Sequence, residues 1–487
     1  MMNSKWGYGA VYVVLIMMQV QVDGDKNNQQ CCNWEGVKCS NVTGHVVKLD
    51  LHANDLHVTV ATISPSLGEL HRLNYLDLSG IVFEHTPSIP PFIASLTHLR
   101  YLNLSFCFSN GKIPPQLGNL LFLEYLDLGN SVFDHPQQIP SQFANLSRLV
   151  YLDLSGNELV GGLSHLTNMS SLRYLDLSDN SLEGTIPPQL GNLLSLEHLD
   201  LRSNGLSGTI PNHFRNLSGL QYLYISHYFY EEKMLLSSDL EWLSQLSSLR
   251  HLSLRLVNLS SASNWQLQDA SLPWLMNSIG ASLVILLMND NDLTGTIPET
   301  FGENLRSLER LILANNELKG QIPASLFRIS SLTELDLSEN RFTGIIPDLS
   351  RLSSLQFLKL DNNRLNGAIH EGIGQLSNLT VLSLGNNLFR GLISEAHFSR
   401  LTSLSLLDLS HNTLVFNVSD KWIPPFSLIS INLAYCNLGP SFPRWLHTQN
   451  MIDRLDISHA GISSTGPIPA FLSTASQVFV SNNKFQH

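Results

Sequence analysis

Short blocks in which leucine alternates with variable residues return along most of the chain. The segment L-D-L-S-G-N-E-L begins at Leu152, and close variants begin at Leu175, Leu335 and Leu407. The L-x-L core has a period of two, which is typical of a β-strand whose leucines point to one side and whose variable residues point to the other. Each block therefore predicts one short strand with a buried leucine face.

The full frame, L-x-x-L-x-L-x-x-N-x-L, can be placed eighteen times, at intervals of 23 to 27 residues apart from two longer ones around Val257. One such unit cannot bury its own leucines, but a stack of them forms a continuous core with neighbouring strands in parallel. A Gly-x-Ile-Pro segment, as at Ile186-Pro187 and Ile322-Pro323, follows many frames. Proline cannot join an interior strand, so this return leg predicts an extended edge and then a short helix or 3₁₀ turn.

The asparagine of the frame lies where the chain leaves the predicted strand. Its amide offers two donors and an acceptor, which can satisfy backbone groups inside the turn. Asparagine fills eleven of the eighteen slots, and Cys107 and Cys436 fill two others. We expect these two cysteines to be small packed substitutes in the core, without a redox or metal-binding role.

The frame and its Ile-Pro leg resemble the plant-specific leucine-rich repeat. The segment Cys31-Cys32-Asn-Trp34-Glu-Gly36-Val37-Lys-Cys39 resembles the end of the N-terminal cap of plant leucine-rich-repeat receptor-like proteins, and the segments around Trp242 and Trp265 resemble an insertion in that group. The resemblance implies an α/β-type solenoid, a right-handed horseshoe with one short parallel strand per repeat of about 24 residues and short helices or 3₁₀ turns on the convex side. It also implies a disulfide between Cys32 and Cys39.

Three regions follow from these patterns. Residues 1–24 predict a signal peptide, because Lys5 precedes an apolar run from Gly9 to Met18 that is too short to span a bilayer. Residues 25–44 correspond to part of an N-terminal cap, and residues 45–487 to about 18 repeats with an insertion near 228–282. The sequence predicts neither a transmembrane helix nor a kinase domain. Attachment to a membrane would need a segment that this chain does not include.

Charge narrows the choice of partner. The chain of 487 residues has 28 Lys and Arg against 40 Asp and Glu, which gives a formal net charge of −12. That balance argues against nucleic acid and against an anionic membrane surface as partners.

Eight Asn-x-Ser/Thr sites and the leader favour the secretory pathway, with a location outside the cell or on the outer face of the plasma membrane. The predicted glycosylation sites are Asn41, Asn103, Asn145, Asn168, Asn216, Asn258, Asn378 and Asn417. Asn103 differs from the others because it lies within a predicted strand face.

The variable residues that flank the central leucine of each strand are the candidate ligand-binding positions. Ranks of aromatic and polar side chains suit a binding face, although Tyr-Leu-Asp-Leu can also serve only to keep a strand soluble. In the early repeats the two columns are nearly uniform, and in the later ones they vary. The candidates are Tyr125, Asp127, Tyr151, Asp153, Tyr174, Asp176, His198, Asp200, Tyr222 and Tyr224, together with Arg310, Glu334, Phe357 and Lys359.

Catalysis is not expected, because the aspartates repeat in near-identical settings and no nucleophile elbow, P-loop or zincin motif occurs. No cofactor and no metal site is predicted.

Three functions remain open. The chain can be the ligand-recognition ectodomain of a plant cell-surface receptor-like protein, in defence or development, that binds a peptide, a glycan or a microbial protein and works with a receptor-kinase co-receptor. It can instead be a secreted inhibitor of a cell-wall-degrading enzyme, similar to polygalacturonase inhibitors, or a truncated receptor product without function.

Overall fold

A computed structural model describes residues 29–53, 58–60, 62–86, 88–108, 110–131, 133, 136–226, 235–260, 279–463 and 475–484. The predicted signal peptide and much of the predicted insertion, including Trp265, lie outside these residues. The chain divides into two compact units. The first comprises Met1–Leu236 with Gln245–Leu249, and the second comprises Ser237–Ser244 with Arg250–His487.

The first unit contains a principal sheet of parallel strands, one at each L-x-L core. Its first strand, Val46–Asp50, also pairs in antiparallel fashion with Val37–Cys39, and a disulfide joins Cys32 to Cys39. A 3₁₀ turn at Gln29–Asn33 precedes that pair. The remaining strands are Tyr75–Asp77, Tyr101–Asn103, Tyr125–Asp127, Tyr151–Asp153, Tyr174–Asp176, His198–Asp200 and Tyr222–Ser226.

Shorter elements complete each repeat of the first unit. Two parallel groups of second strands are Val58–Val60 with Ile81–Phe83, and Val160–Gly161, Ser181–Thr185, Gly205–Thr209 and Leu235–Leu236. The 3₁₀ turns are Pro65–Glu69, Pro91–Ser95, Pro115–Asn119, Ser141–Asn145, Ser164–Leu166, Pro188–Asn192 and Asn212–Asn216. The proline of the Ile-Pro leg, such as Pro114 or Pro187, is the extended N-cap residue of the next turn. In these two repeats a second proline, Pro115 or Pro188, begins the turn, because proline has the φ value that a first helical position needs.

The second unit repeats this plan. Its principal strands are His251–Arg255, Ile285–Leu287, Arg310–Ile312, Glu334–Asp336, Phe357–Lys359, Val381–Ser383, Leu406–Asp408, Ser430–Asn432, Arg454–Asp456 and Gln477–Phe479. Its second sheet runs through Thr294–Gly295, Glu317–Gln321, Arg341–Gly344, Arg364–Gly367, Leu388–Ile393 and Thr413–Phe416. The short helical elements are Phe301–Asn304, Leu326–Arg328, Glu371–Gln375, Glu395–Phe398 and Arg444–Thr448, and one further 3₁₀ turn covers Glu241–Gln245.

The leucines of the frame form the core of each unit. Leu126 and Leu175 in the first unit and Leu335 and Leu358 in the second are 0% exposed. The described strands include one at each of the eighteen L-x-L cores, and within each unit neighbouring cores pair in parallel and in register, as Leu175 does with Leu199. The prediction of a leucine-rich-repeat solenoid with parallel strands at these cores is therefore confirmed.

The asparagines act as the sequence predicted. Asn180 Nδ2 donates to the carbonyls of Leu154, Leu177 and Ser178, and its Oδ1 accepts the N–H groups of Asn157 and Leu159. Each such amide therefore ties one repeat to the preceding one, since buried backbone groups need partners.

The cysteines in this slot keep part of that bonding. Cys107 Sγ donates to the Leu78 carbonyl at 3.0 Å, and Cys436 Sγ donates to that of Leu409 at 3.2 Å. Burial raises the pKa of Cys107, and it raises the pKa of Cys436 to about 12. Both thiols are thus held in the protonated form that can donate.

A second strand in many repeats was not predicted. The residues that follow the asparagine pair across repeats, as Lys319–Gln321 do with Arg341–Thr343. The buried residue of that strand, such as Leu318 or Phe342, adds a second apolar row to the core. This strand requires glycine at position 320, because φ there is +82° and a Cβ would lie 2.8 Å from Thr296 Cγ2.

Candidate functional site

Two columns of side chains lie on the principal strands of the first unit, on the side opposite the leucines. In-register pairing places Tyr125 beside Tyr151 and Asp127 beside Asp153. The same register continues through Tyr174 and Asp176 to His198 and Asp200. Because parallel strands are about 4.8 Å apart, identical residues in successive repeats become direct neighbours.

The aromatic column is a continuous stack, which we call the tyrosine ladder (Tyr75, Tyr101, Tyr125, Tyr151, Tyr174 and His198). Successive ring centroids are 4.0 to 4.2 Å apart, with interplanar angles of 6° to 17°. Beyond His198 the stacking ends, since the Tyr222 and Tyr224 rings are 5.5 and 5.8 Å from His198 and tilted. Each ring inside the ladder is covered on both faces by its neighbours, so its edge and its polar tip are what remain open.

The second column, which we call the aspartate column (Asp77, Asn103, Asp127, Asp153, Asp176 and Asp200), is fixed by two kinds of hydrogen bond. One carboxylate oxygen accepts from the backbone two residues later, as Asp153 Oδ1 does from the Ser155 N–H at 2.9 Å. The other accepts a ladder hydroxyl, as Asp176 Oδ2 does from Tyr174 at 3.3 Å. In both columns the side chains are therefore held in one orientation before any ligand arrives.

Burial dominates the electrostatics of this face. Desolvation raises the pKa of Asp127 to about 7, and the neighbouring carboxylates of Asp153 and Asp77 add to the effect. Desolvation is also the main cause of the raised pKa of Asp153. The pKa values of Tyr125 and Tyr151 are raised as well, chiefly by burial. The tyrosines consequently remain neutral hydrogen-bond donors, and crowded carboxylates lie next to them.

Two of the protein's own cations lie at the ends of these columns. Lys48 Nζ is 3.9 Å from the centroid of the Tyr75 ring and 3.0 Å from Asp50 Oδ2. The Arg202 guanidinium lies 4.6 Å from the centroid of Tyr224, and its Nε donates to both oxygens of Asp200. The sequence analysis did not single out either cation. Lys48 occupies the tyrosine position of the first frame, so its place in the column was detectable in the sequence.

The four later candidates lie on the strand face of the second unit. Arg310 Nε lies 2.6 Å from Glu334 Oε2, and Lys359 Nζ lies 3.3 Å from Asp336 Oδ2. Phe357 is half-buried on the strand next to that of Glu334. Here each charged candidate is paired with an opposite charge on an adjacent strand, whereas no aromatic ladder forms among the candidates.

One group of possible metal ligands lies in the first unit. The ligand atoms of Asp176, His198 and Asp200 lie within 4.8 Å of one another. Arg202 already donates to both oxygens of Asp200, and its guanidinium supplies the positive charge at that point. In a second group, two of the three cysteines form the Cys32–Cys39 disulfide. A metal ion at the first group would have to displace Arg202 from Asp200, and the disulfide leaves a single thiol in the second group.

The predicted glycosylation sites differ in accessibility. Six asparagines are exposed, and Asn258 is half-buried. Asn103 is 9% exposed, and its Oδ1 accepts both the N–H and the hydroxyl of Ser105. It therefore belongs to the aspartate column and lacks room for a glycan in the folded chain.

In the part of the chain that the structure describes, no helix has the length and apolar character needed to cross a bilayer.

Comparison with known proteins agrees with this architecture. The family model described as "Leucine-rich repeat region" matches residues 55–170, and that described as "Leucine rich repeat" matches residues 170–227, 281–342, 306–365 and 353–414. The crystal structure of the Arabidopsis receptor kinase HAESA with the peptide hormone IDA and the co-receptor SERK1 is similar over 97% of this chain and 85% of that one, at 26% identity and a TM-score of 0.72. The fold and the repeat frame thus define a leucine-rich-repeat ectodomain architecture.

Similarity to full-length relatives is more specific. The receptor-like proteins EIX2 and EIX1 of Solanum lycopersicum are 38% and 36% identical over 91% of this chain. The chain belongs to the plant leucine-rich-repeat receptor-like proteins. It spans about half the length of these curated relatives, because the matches cover 48% of each.

Proposed function

We propose that this chain is the extracellular, non-catalytic ligand-recognition region of a plant cell-surface receptor, with a role in defence or developmental signalling. The observation that carries the proposal is the ladder of six stacked rings with its bonded carboxylates in the first unit. Side chains that are already ordered lose little conformational entropy when a ligand binds, and tyrosine combines contact area with a polar tip.

The proposed binding residues are the ten candidates of the first unit, with Arg310, Glu334, Phe357 and Lys359 of the second unit as a further contact region. The ligand is a peptide, a glycan or a microbial protein. The HAESA structure, which contains a peptide hormone and the co-receptor SERK1, supports a peptide ligand and a receptor-kinase co-receptor by analogy of fold. The similarity to EIX1 and EIX2 supports a place at the plasma membrane.

Seven of the eight glycosylation sites are proposed to be modified in the secretory pathway, with Asn103 unmodified. A glycan on Asn103 Nδ2 would have to leave a position that is 9% exposed, and it would cover the face between Tyr101 and Tyr125. The strand face thereby stays open for a ligand. Glycopeptide mass spectrometry of the chain secreted from plant cells tests this, and a glycan found at Asn103 would mean that this face is covered.

The experiment that tests the proposed function uses a displayed library of random 15-residue peptides, panned against the chain secreted from plant cells. Enriched peptides are then measured against Y151F/Y174F, which removes two hydroxyls but keeps the stack, and against Y435F as the matched control in the second unit. We expect at least fivefold weaker binding to the double variant and unchanged binding to Y435F. Thermal unfolding of each variant first establishes that it is folded.

Two results would contradict a peptide ligand on this face. One is the absence of any enriched peptide, and the other is enriched peptides that bind all three proteins equally. The second result would place the binding site on another surface.

A further inference from the structure

The way the ladder is built limits what it can bind. Ligand rings, such as the pyranose rings of a glycan, use aromatic side chains through their faces. The faces of Tyr101, Tyr125, Tyr151 and Tyr174 are occupied by neighbouring rings at 4.0 to 4.2 Å. A ligand on this surface therefore meets ring edges, hydroxyls and the carboxylates beside them. Polar and charged contacts, not stacking, must provide the recognition.

The charge on this surface is negative and largely uncompensated. Among the described residues no Lys or Arg forms an ion pair with Asp77, Asp127, Asp153 or Asp176. The two arginines on the neighbouring column, Arg100 and Arg173, are paired with Glu124 and Glu197. The hydroxyl of a tyrosine stabilises a carboxylate but does not neutralise it. The middle of the aspartate column thus lacks the positive charge that its ends have.

The ends show how a cation fits. Lys48 lies between the Tyr75 ring and the Asp50 carboxylate, and Arg202 lies between the Tyr224 ring and the Asp200 carboxylate. Both contacts combine an ion pair with a cation–π interaction. The middle of the surface offers a ligand the ion-pair part of this contact, because the ring faces there are covered.

We propose that the strand face between Tyr101 and Asp176 binds an extended basic segment of a peptide or protein, whose Arg or Lys side chains lie against Asp127, Asp153 and Asp176. This proposal rests on the proposed function and specifies its ligand. Charge complementarity selects such a partner and steers its approach. A glycan or a neutral peptide is the outcome that would oppose it.

The repeat geometry also predicts the spacing of the basic residues. Three residues of an extended, polyproline-like peptide span about 9.3 Å, and two strand spacings span about 9.6 Å. A peptide that crosses the strands with a basic residue at every third position therefore places one charge on every second strand, about 4.8 Å from the carboxylates on the strands to either side. Adjacent basic residues cannot all do so.

The test uses fluorescent 12-residue peptides of Gly, Ser and Gln with arginine at positions 3, 6 and 9, titrated into the full chain and followed by anisotropy. One control peptide replaces arginine by citrulline, which keeps the shape but removes the charge, and another places the three arginines next to one another. The protein variants are D153N/D176N and, as a control that removes one carboxylate from the second sheet instead of from the strand face, E183Q. Asparagine suits the column, because Asn103 occupies it naturally.

We expect the arginine peptide to bind about tenfold more weakly to D153N/D176N and unchanged to E183Q, since each exposed charge pair contributes a factor of about two to five. Citrulline should weaken binding at least as much, and the clustered peptide should bind more weakly than the spaced one. Binding that is absent, that survives citrulline, or that responds equally to E183Q would overturn the proposal. Neutral or acidic library peptides that still depend on the Tyr151 and Tyr174 hydroxyls would overturn it while leaving the proposed function in place.

Discussion

In the first unit the strand face from Tyr75 to Asp200 repeats almost one pair of side chains, whereas in the second unit the face from Arg310 to Lys359 changes at every strand. Both faces rest on the same parallel, in-register pairing. The repeated face stacks like on like and brings carboxylates together. The varied face instead puts opposite charges side by side, as Arg310 and Glu334 show.

This difference shows that cross-strand neighbours, not the backbone, determine the electrostatic character of a solenoid face. When identical residues are in register, aromatic rings stack on one another, but carboxylates are brought close together. When opposite charges lie on adjacent strands, they pair with one another and leave less net charge for a partner. The first unit therefore presents carboxylates without a basic partner in the middle of its face, while the charged candidates of the second unit pair with one another or with Asp336.

The largest effect that separates the two faces concerns the ladder. Tyr151→Ala removes two ring stacks and a hydroxyl bond to Asp153, which should cost about 3 kcal/mol of the free energy of unfolding of the first unit. Phe357→Ala, at a half-buried position outside any aromatic ladder, should cost about 1 kcal/mol. Hydrogen exchange, read separately for the strands of each unit, measures both values. Equal losses would mean that the stacking adds nothing to stability.

A smaller effect follows from the raised pKa of Asp127. In the folded chain its pKa is about 7, above the value of about 3.9 expected in the unfolded chain, so the folded state binds the proton more tightly. Stability contributed by this group is complete below about pH 4 and is lost as the pH rises through 7. Asp127→Asn should therefore stabilise the first unit by about 1 to 2 kcal/mol at pH 8 and have little effect at pH 4. Chemical unfolding at the two pH values tests this, with Glu183→Gln as control.

The same carboxylate should also change binding with pH. Tyr125, Asp153 and Asp77 act on Asp127 electrostatically, and a nearby arginine favours its charged form. We expect the affinity for the spaced arginine peptide to increase roughly twofold to fivefold from pH 6 to pH 8, and Asp127→Asn to remove most of that change. A pH dependence that persists in this variant would assign it to another group.

The smallest expected effect concerns the second unit, where neutralising a carboxylate should destabilise the fold, whereas Asp127→Asn should stabilise the first unit. Glu334→Gln removes the partner of Arg310 and should lower the stability of that unit by about 0.5 to 1 kcal/mol. A double-mutant cycle with Arg310→Met isolates the pair, and about 200 mM added salt should reduce the coupling energy. A stabilising effect of Glu334→Gln would remove the contrast between the two faces, because neutralising a carboxylate would then act alike in both.

The sequence predicted the solenoid because its signal is local and repeated. The leucine period defines the strands, and the asparagine slot defines the turns. The second sheet was missed because the Gly-x-Ile-Pro leg predicts only an extended edge and a turn, while the two to five residues that lead into its Ile-Pro pair with their equivalents in neighbouring repeats. That pairing depends on the stacking geometry, which a single repeat does not contain.

The candidate site was predictable in position but not in state. The columns of Tyr and Asp follow from the period of two, yet the pattern does not reveal that the rings stack face to face or that Asp127 has a raised pKa. Both depend on side-chain orientation across strands. Arg202 was missed for the same reason, since it lies outside the two columns and reaches Asp200 through its long side chain.

Carboxyl footprinting tests the central claim most directly. The chain is treated with a carbodiimide and glycine ethyl ester, with and without the spaced arginine peptide, and modification of each Asp and Glu is quantified by mass spectrometry. The account predicts that the peptide protects Asp153 and Asp176 in the first unit and leaves Glu334 and Asp408 in the second unit unchanged. Protection confined to the second unit, or no difference between the two faces, would contradict it.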